Sequence, residues 1–185
     1  MIYLDKEKTK KVIIKPNKNN KYELKGDGTY YVFGDAKVIA RADVHIYAYD
    51  NVIVDAYGNS KVNSYDSARV EAYNYSKVIA CGNSEVIALD NVIVEAYHNS
   101  RAKARDYSKV IAKDYSKVIA NDYSKVIAKD YSKVIANDYS KVEAFDKAKV
   151  KQKKPFQNFL KFTFVLLVGL FLLIKCSDLK YLFKN

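Results

Sequence analysis

Residues 34–153 consist of one eight-residue unit repeated without interruption, and this repeat constrains the fold more than any other feature of the chain. The clearest copies are DYSKVIAK at residues 106–113 and DYSKVIAN at residues 114–121, and a more diverged copy reads GDAKVIAR from Gly34. With a short fixed period each unit packs only on its neighbours, so the chain is expected to build an elongated stack. Near-identical units bring no unlike catalytic groups together, and we therefore expect no enzymatic activity.

The positions of the unit, numbered one to eight from Asp106, alternate between constrained and variable. Position five is Val in most units and position seven is almost always Ala, whereas positions four, six and eight vary widely. This period of two is typical of a β-strand with one buried face. Positions one and two hold Asp, Gly, Asn and other residues that accept turns. Each unit is therefore predicted to form one tight turn and one short strand.

Small inward residues predict how the units wind. Val, Ala and Ser can fill a thin gap between two sheets but not a wide interior. Residues 106–121 are also identical to residues 122–137, and position eight alternates between Lys and Asn within them. The predicted fold is therefore an all-β parallel β-solenoid, or β-helix, of about fifteen units with two units per coil. A triangular coil of three units is the alternative.

Stacked coils place like residues above one another. Asp at position one and Lys at position four would also form rows, and we expect the opposite charges to neutralise each other. The tyrosines at position two are expected to stack at the turns; they are Tyr107, Tyr115, Tyr123, Tyr131 and Tyr139.

The open ends of a solenoid need cover, and residues 1–33 have the composition of an N-terminal cap. Within them KVIIK (residues 11–15) and KYELK (residues 21–25) are predicted strands, and residues 26–29 are a predicted turn. The chain thus divides into a cap at 1–33, a solenoid at 34–153 and a different segment at 154–185.

The C-terminal segment contains an apolar core at residues 162–174, with Lys161 and Lys175 beside its ends. The core is shorter than the roughly 20 residues of an ordinary membrane span. It is nevertheless apolar all round, unlike an amphipathic helix. A single membrane-spanning helix is favoured; a docked helix that caps the rod and an oligomer contact are the alternatives. The residues assigned to the span are Phe162, Val165, Leu166, Leu167, Leu170, Phe171, Leu172, Leu173 and Ile174.

The distribution of charge bears on location and partners. The net charge of +11 divides into +4 for residues 1–33, +3 for the repeat body and +4 for residues 154–185. A rod that binds nucleic acid would carry its charge along the body, so no nucleic-acid partner is predicted. More lysines precede the apolar core than follow it, which places the solenoid in the cytoplasm. A soluble cytoplasmic protein is the alternative.

Few residues suggest reactive chemistry. Cys81 and Cys176 lie far apart and form no disulfide framework. His45 and His98 have no nearby nucleophile and no metal-ligand spacing. We therefore predict no catalytic residue, metal, cofactor or small-molecule substrate.

One outward feature suggests an interaction. Position six is Ile in several consecutive units, which would create short exposed apolar stripes on both faces of the rod. The hypothesis is that these stripes serve self-association or partner binding, and the alternative is that Ile simply favours strands. The stripe residues are Ile111, Ile119, Ile127 and Ile135.

The units GNSKVNSY, DSARVEAY and DYSKVIAN resemble those of the short-repeat, octapeptide β-solenoid proteins encoded in bacterial and phage genomes. The resemblance covers about residues 34–150 and implies the solenoid fold. The chain is more loosely similar to bactofilins, polymerising β-solenoids that can associate with membranes. Neither resemblance carries functional residues onto this chain.

The sequence thus favours a non-enzymatic, membrane-tethered structural rod that acts as a scaffold, with self-assembly as an added capacity. The alternative is a surface or phage-encoded binding module that uses its outward Tyr, Lys and Ile rows.

Overall fold

The computed structural model describes residues 2–5, 11–15 and 20–153 of the 185-residue chain. These residues form nineteen short β-strands, with no helix among them. The segment predicted to be a C-terminal helix lies outside the described residues. The strands are β1 (Ile2–Asp5), β2 (Lys11–Ile14), β3 (Lys21–Lys25), β4 (Thr29–Val32), β5 (Lys37–Ala40), β6 (His45–Ala48), β7 (Ile53–Ala56), β8 (Lys61–Ser64), β9 (Arg69–Ala72), β10 (Lys77–Ala80), β11 (Glu85–Ala88), β12 (Ile93–Ala96), β13 (Arg101–Ala104), β14 (Lys109–Ala112), β15 (Lys117–Ala120), β16 (Lys125–Ala128), β17 (Lys133–Ala136), β18 (Lys141–Ala144) and β19 (Lys149–Gln152).

The strands form two parallel sheets that the chain visits alternately. Odd-numbered strands make a ten-stranded sheet and even-numbered strands make a nine-stranded sheet, each in sequence order. A parallel pair requires a crossover connection, and the crossover in this fold is the intervening strand of the other sheet with its two turns. The fold is therefore the predicted all-β parallel β-solenoid.

The register shows that two units make one coil. Lys21 pairs with Lys37 at the start of the regular array, and Lys133 pairs with Lys149 at its end. Both separations are sixteen residues, so the two-unit prediction is confirmed and the triangular alternative is wrong. The first coils are longer, since Ile2 pairs with Tyr22.

The core is a thin layer of small side chains between the sheets. Along β15 the exposed Lys117 and Ile119 alternate with the buried Val118 and Ala120. Position three also points inward, and its serine, alanine or valine is buried in most units. Fully burying a valine contributes about 1.5–3 kcal/mol, and the identical register repeats that contribution coil after coil.

The N-terminal coils hold larger side chains than the rest of the rod. Leu24, Tyr30 and Ile46 are almost fully buried there. Gly28 occupies position three of the unit that contains Tyr30, where later units carry Ser, Ala or Val. A Cβ at Gly28 would lie 2.8 Å from Cε2 of Tyr30. The glycine therefore leaves room for the tyrosine ring.

The first residue of each turn adopts the left-handed backbone conformation. From Gly34 to Asp146 this conformation recurs every eight residues, and it also occurs at Gly26, one unit earlier. Asp, Asn and Gly are the residues that visit this region most readily. The composition of position one thus has a backbone cause.

The aspartates at position one also bind the neighbouring coil. An oxygen of Asp114 accepts a hydrogen bond from the backbone N–H of His98 at 2.9 Å, and Asp90 accepts one from Asn74 at 2.9 Å. The same contact is made by Asp50, Asp66, Asp106, Asp122, Asp130 and Asp146. Charge-assisted hydrogen bonds of this kind are stronger than neutral ones.

The Asp rows thus make their hydrogen bonds with the backbone of the adjacent coil. Among the described residues the ion pairs instead join Glu23 to Lys25 and Arg41, and Glu85 to Arg69 and Arg101. The mutual neutralisation of the Asp and Lys rows stays a prediction.

Candidate interaction faces

The rod presents two broad outward surfaces. Face A is the outward side of the ten-stranded sheet, and face B is the outward side of the nine-stranded sheet. On each face positions four, six and eight form rows in which successive members are sixteen residues apart, as in the pairing of Lys109 with Lys125. Any functional surface of the regular array is therefore built from rows.

The four isoleucines of the predicted contact surface divide between the two faces. Ile119 and Ile135 are neighbours on face A and are 41% and 38% exposed. Ile111 and Ile127 are neighbours on face B, where Ile111 is half-buried and Ile127 exposed. Each pair forms a short apolar stripe. The position-six residues that end the stripes are charged: Lys103 and Lys151 on face A, and Glu95 and Glu143 on face B.

The part of face A between β13 and β19 carries positive charge only. Its twelve outward positions hold eight cations, two isoleucines and two asparagines, without an acidic residue. We call this surface the cationic strip. Its charged residues are Arg101, Lys103, Arg105, Lys117, Lys133, Lys149, Lys151 and Lys153.

A shallow groove runs along the cationic strip. Its volume is about 630 Å³, and it lies between the position-four row and the position-six row. Lys117 and Lys133 line one side, Ile119 and Ile135 line the other, and Glu85 lines the end that lies beyond the strip. The groove thus combines apolar walls with flexible cations whose stems can lie along apolar surface while the ammonium groups reach outward.

Face B has a mixed character over the corresponding coils. The outward positions of β12, β14, β16 and β18 include five lysines but also Glu95 and Glu143. The groove on this face is smaller, about 340 Å³, and like the groove on face A it has one glutamate in its lining, Glu143. The two faces therefore share the isoleucine stripes but differ in charge.

On the two faces, aromatic ladders occupy the first half of the rod. Tyr57 and Tyr73 stack on face A with ring centroids 4.7 Å apart, and Tyr49 and Tyr65 stack on face B at 5.0 Å. Offset-stacked rings contribute about 0.5–1.5 kcal/mol beyond the area they bury. Such rows stiffen the rod and present flat aromatic edges to solvent.

Carboxylates accompany the ladder on face A. The hydroxyl of Tyr73 donates a hydrogen bond to Glu71 at 2.8 Å, and this bond, with burial, raises the pKa of Tyr73 to about 12. Burial, with the nearby charge of Glu71, raises the pKa of Asp55. The first half of face A is thus partly acidic, unlike the cationic strip.

The turn tyrosines stack as predicted, in two rows on opposite edges of the rod. Tyr107 and Tyr123 stack at 5.6 Å, and Tyr123 and Tyr139 at 5.4 Å. Tyr115 and Tyr131 stack at 5.3 Å on the other edge. The separation into two rows follows directly from the two-unit coil.

The groups considered for reactive chemistry are scattered. His45 lies on face B at position four, His98 lies in a turn, and Cys81 is a half-buried free thiol. Burial raises the pKa of Cys81, with a contribution from Asp114, which disfavours a reactive thiolate. Over the described ranges no group of three or more His, Cys, Asp or Glu side chains has the arrangement of a metal site.

The residues assigned to a membrane span lie outside the described part of the chain. In the part that is described, no helix is long and apolar enough to cross a membrane.

Comparison with known proteins finds no match among protein-family models, curated proteins or solved structures.

The cationic strip cannot be seen in a charge averaged over the whole repeat body. The signal was nevertheless present in the register. Sorting positions four, six and eight by alternate units separates the strip from face B. The hydrogen-bonded aspartates of the turns account for eight of the sixteen acidic residues of the repeat body.

Proposed function

We propose that this protein is a non-enzymatic structural rod that is tethered to a membrane through its C-terminal segment and serves as a scaffold or spacer. The observation that carries the proposal is the constant register of the coils from β3 to β19. A solenoid of this kind transmits its rigidity along its axis and offers the same rows at every coil. Such a structure is suited to spacing and lateral contact.

The tether is supported by the composition of residues 154–185. Residues 162–174 lack charged side chains, and Lys161 and Lys175 flank them. Lysines at such places extend their ammonium groups to the headgroup region, which lets a short apolar stretch cross a bilayer. Residues 1–153, and hence the rod, would then lie on one side of the bilayer.

Removal of the C-terminal segment is expected to release the rod from membranes. The full chain should stay in the membrane pellet after a carbonate wash, whereas a chain that ends at Pro155 should appear in the supernatant. A full chain in the supernatant would contradict the tether and would favour a cap or an oligomer contact.

A matched pair of point variants sharpens this test. Arginine at the centre of a membrane helix costs about 2.5–3.5 kcal/mol on insertion scales. Leu170→Arg is therefore expected to move most of the chain to the supernatant. Leu182→Arg, outside the apolar core, should not. Equal behaviour of the two variants would argue against insertion.

The second candidate function is a binding module, and the aromatic ladders favour it. Tyr57 and Tyr73 present a stacked, solvent-facing row of the kind that contacts flat or repetitive ligands. A scaffold should tolerate the loss of a coil, whereas a binding module should depend on particular outward residues of this kind.

A further inference from the structure

We propose that the cationic strip of face A binds the surface of a lipid bilayer that contains anionic phospholipids. The rod would then lie along the membrane with face A inward and face B exposed. This inference rests on the proposed tether for the position of the rod, but its own evidence is the arrangement of side chains on β13 to β19.

The charge of the strip favours an anionic surface. The strip is free of acidic residues over four successive coils. The nearby aspartates Asp106, Asp114 and Asp130 stand at turn positions, and each accepts a backbone hydrogen bond from the coil before it. Glu85 of the preceding coil on face A pairs with Arg101 at 3.1 Å, at one end of the strip. Clustered Lys and Arg side chains are the residues by which proteins recognise anionic membrane surfaces.

Exposed apolar surface lies between the cations. Ile119, Ile135 and Val150 are 41%, 38% and 39% exposed, and they line the groove. Peripheral membrane binding combines electrostatic attraction with burial of apolar side chains at the headgroup boundary. The strip supplies both on one face.

The strip is close to the apolar core along the chain. The strip ends at Lys153, and the apolar core begins at Phe162. Nine Cα–Cα steps join these two residues and span at most about 32 Å when fully extended. A core inserted in a bilayer would therefore keep the end of the strip near the headgroups.

The same features disfavour nucleic acid as the occupant. Single strands are bound by stacking of bases on aromatic side chains, and the outward positions of the strip include no aromatic residue. A flat sheet face also fits poorly into the grooves of a duplex. The exposed isoleucines would stay exposed against phosphates, whereas a bilayer surface would cover them.

The test compares two matched positions in the full chain. Ile119 on face A and Ile127 on face B both lie within the sequence KVIA. Each is changed to cysteine, with Cys81 and Cys176 replaced by serine, and is labelled with a small environment-sensitive fluorophore. The chain is reconstituted with phosphatidylcholine vesicles that contain either no anionic lipid or about 30% phosphatidylserine. Quenching by aqueous iodide reports exposure of the label.

The expected result is selective protection of face A. In anionic vesicles quenching at residue 119 should fall by about threefold or more relative to neutral vesicles, and high salt should restore it. Quenching at residue 127 should change little. The proposal would be overturned if quenching changed equally at the two residues. It would also be overturned if residue 119 were protected equally in neutral and anionic vesicles.

Two triple variants identify the responsible charges. Lys117, Lys133 and Lys149 form the position-four row of face A, and changing all three to glutamine should abolish protection at residue 119. Lys109, Lys125 and Lys141 form the matched row of face B, and changing them should leave the protection intact. Circular dichroism verifies that each variant keeps its fold. Loss of protection in both variants would overturn the assignment to the strip.

Further measurements separate this proposal from its alternatives. If carbonate extracts the chain but residue 119 is protected from iodide in anionic vesicles, the result would support the strip and contradict the tether. A carbonate-resistant chain with equal quenching at both residues would support the tether and contradict the strip. Protection of residue 119 by duplex DNA alone, to the same extent as by anionic vesicles, would overturn the membrane as the occupant.

Discussion

Changing Val118 to aspartate is expected to unfold the coils around β15, whereas the same change at the adjacent Ile119 should leave the rod folded. Val118 is 1% exposed and pairs with Ala102 and Val134 in the coils on either side. An aspartate there would place a carboxylate between two sheets of small apolar side chains, with no cation within the layer. The expected cost exceeds about 4 kcal/mol.

Hydrogen exchange read by mass spectrometry measures this effect coil by coil. Amides of β13, β15 and β17 should lose protection in the Val118→Asp chain, while distant coils keep theirs because each coil contacts only its neighbours. Ile119 is 41% exposed, so Ile119→Asp should cost at most about 1 kcal/mol. Similar loss of protection in both variants would contradict the inward and outward assignment of the strand.

Deletion of one whole coil of sixteen residues is expected to lower the melting temperature less than deletion of four residues of that coil. Residues 106–121 are identical to residues 122–137, so their removal joins Arg105 to Asp122 and recreates the original local sequence. Every later strand stays in the same sheet and keeps the same residues buried. Only one coil–coil contact is lost, and the melting temperature should fall by no more than a few degrees.

The shorter deletion removes residues 106–109, which hold the turn and the first residue of β14. Without the left-handed residue at position 106 the chain cannot cross from one sheet to the other at that point. We expect the melting temperature to fall by more than about 10 °C, which corresponds to several kcal/mol in a chain of this size. A larger effect from the sixteen-residue deletion would show that the coils are not interchangeable.

The backbone of this protein could be predicted from the sequence because the same alternation of buried and exposed positions recurs in unit after unit. Val at position five and Ala at position seven specify the buried face. The alternation of Lys113, Asn121, Lys129 and Asn137 indicates two units per coil, and the register confirms it. The secondary structure of a single short segment is ambiguous from its sequence, whereas fifteen copies of one pattern give a consistent prediction.

The surfaces were harder to predict because they depend on which residues share a face after winding. The near-neutral charge of the repeat body conceals the cationic strip, since aspartates at the turns cancel lysines on the sheets in any average. The role of Asp114 was likewise missed, because a hydrogen bond from the N–H of His98 joins residues sixteen positions apart. The segment after Lys153 follows no repeat, and its prediction as a membrane span depends on composition alone.

Every face, row and groove described for this protein depends on a coil of sixteen residues, and paired cysteines measure that period directly. With Cys81 and Cys176 replaced by serine, one chain carries cysteines in place of Tyr107 and Tyr123, and a second in place of Tyr107 and Tyr131. The rings of Tyr107 and Tyr123 lie 5.6 Å apart, and adjacent parallel strands are about 4.8 Å apart, within disulfide range. Rapid, nearly complete oxidation of the first pair, with little of the second, is the predicted result. Preferential oxidation of the second pair would indicate a three-unit coil and would contradict the assignment of both faces.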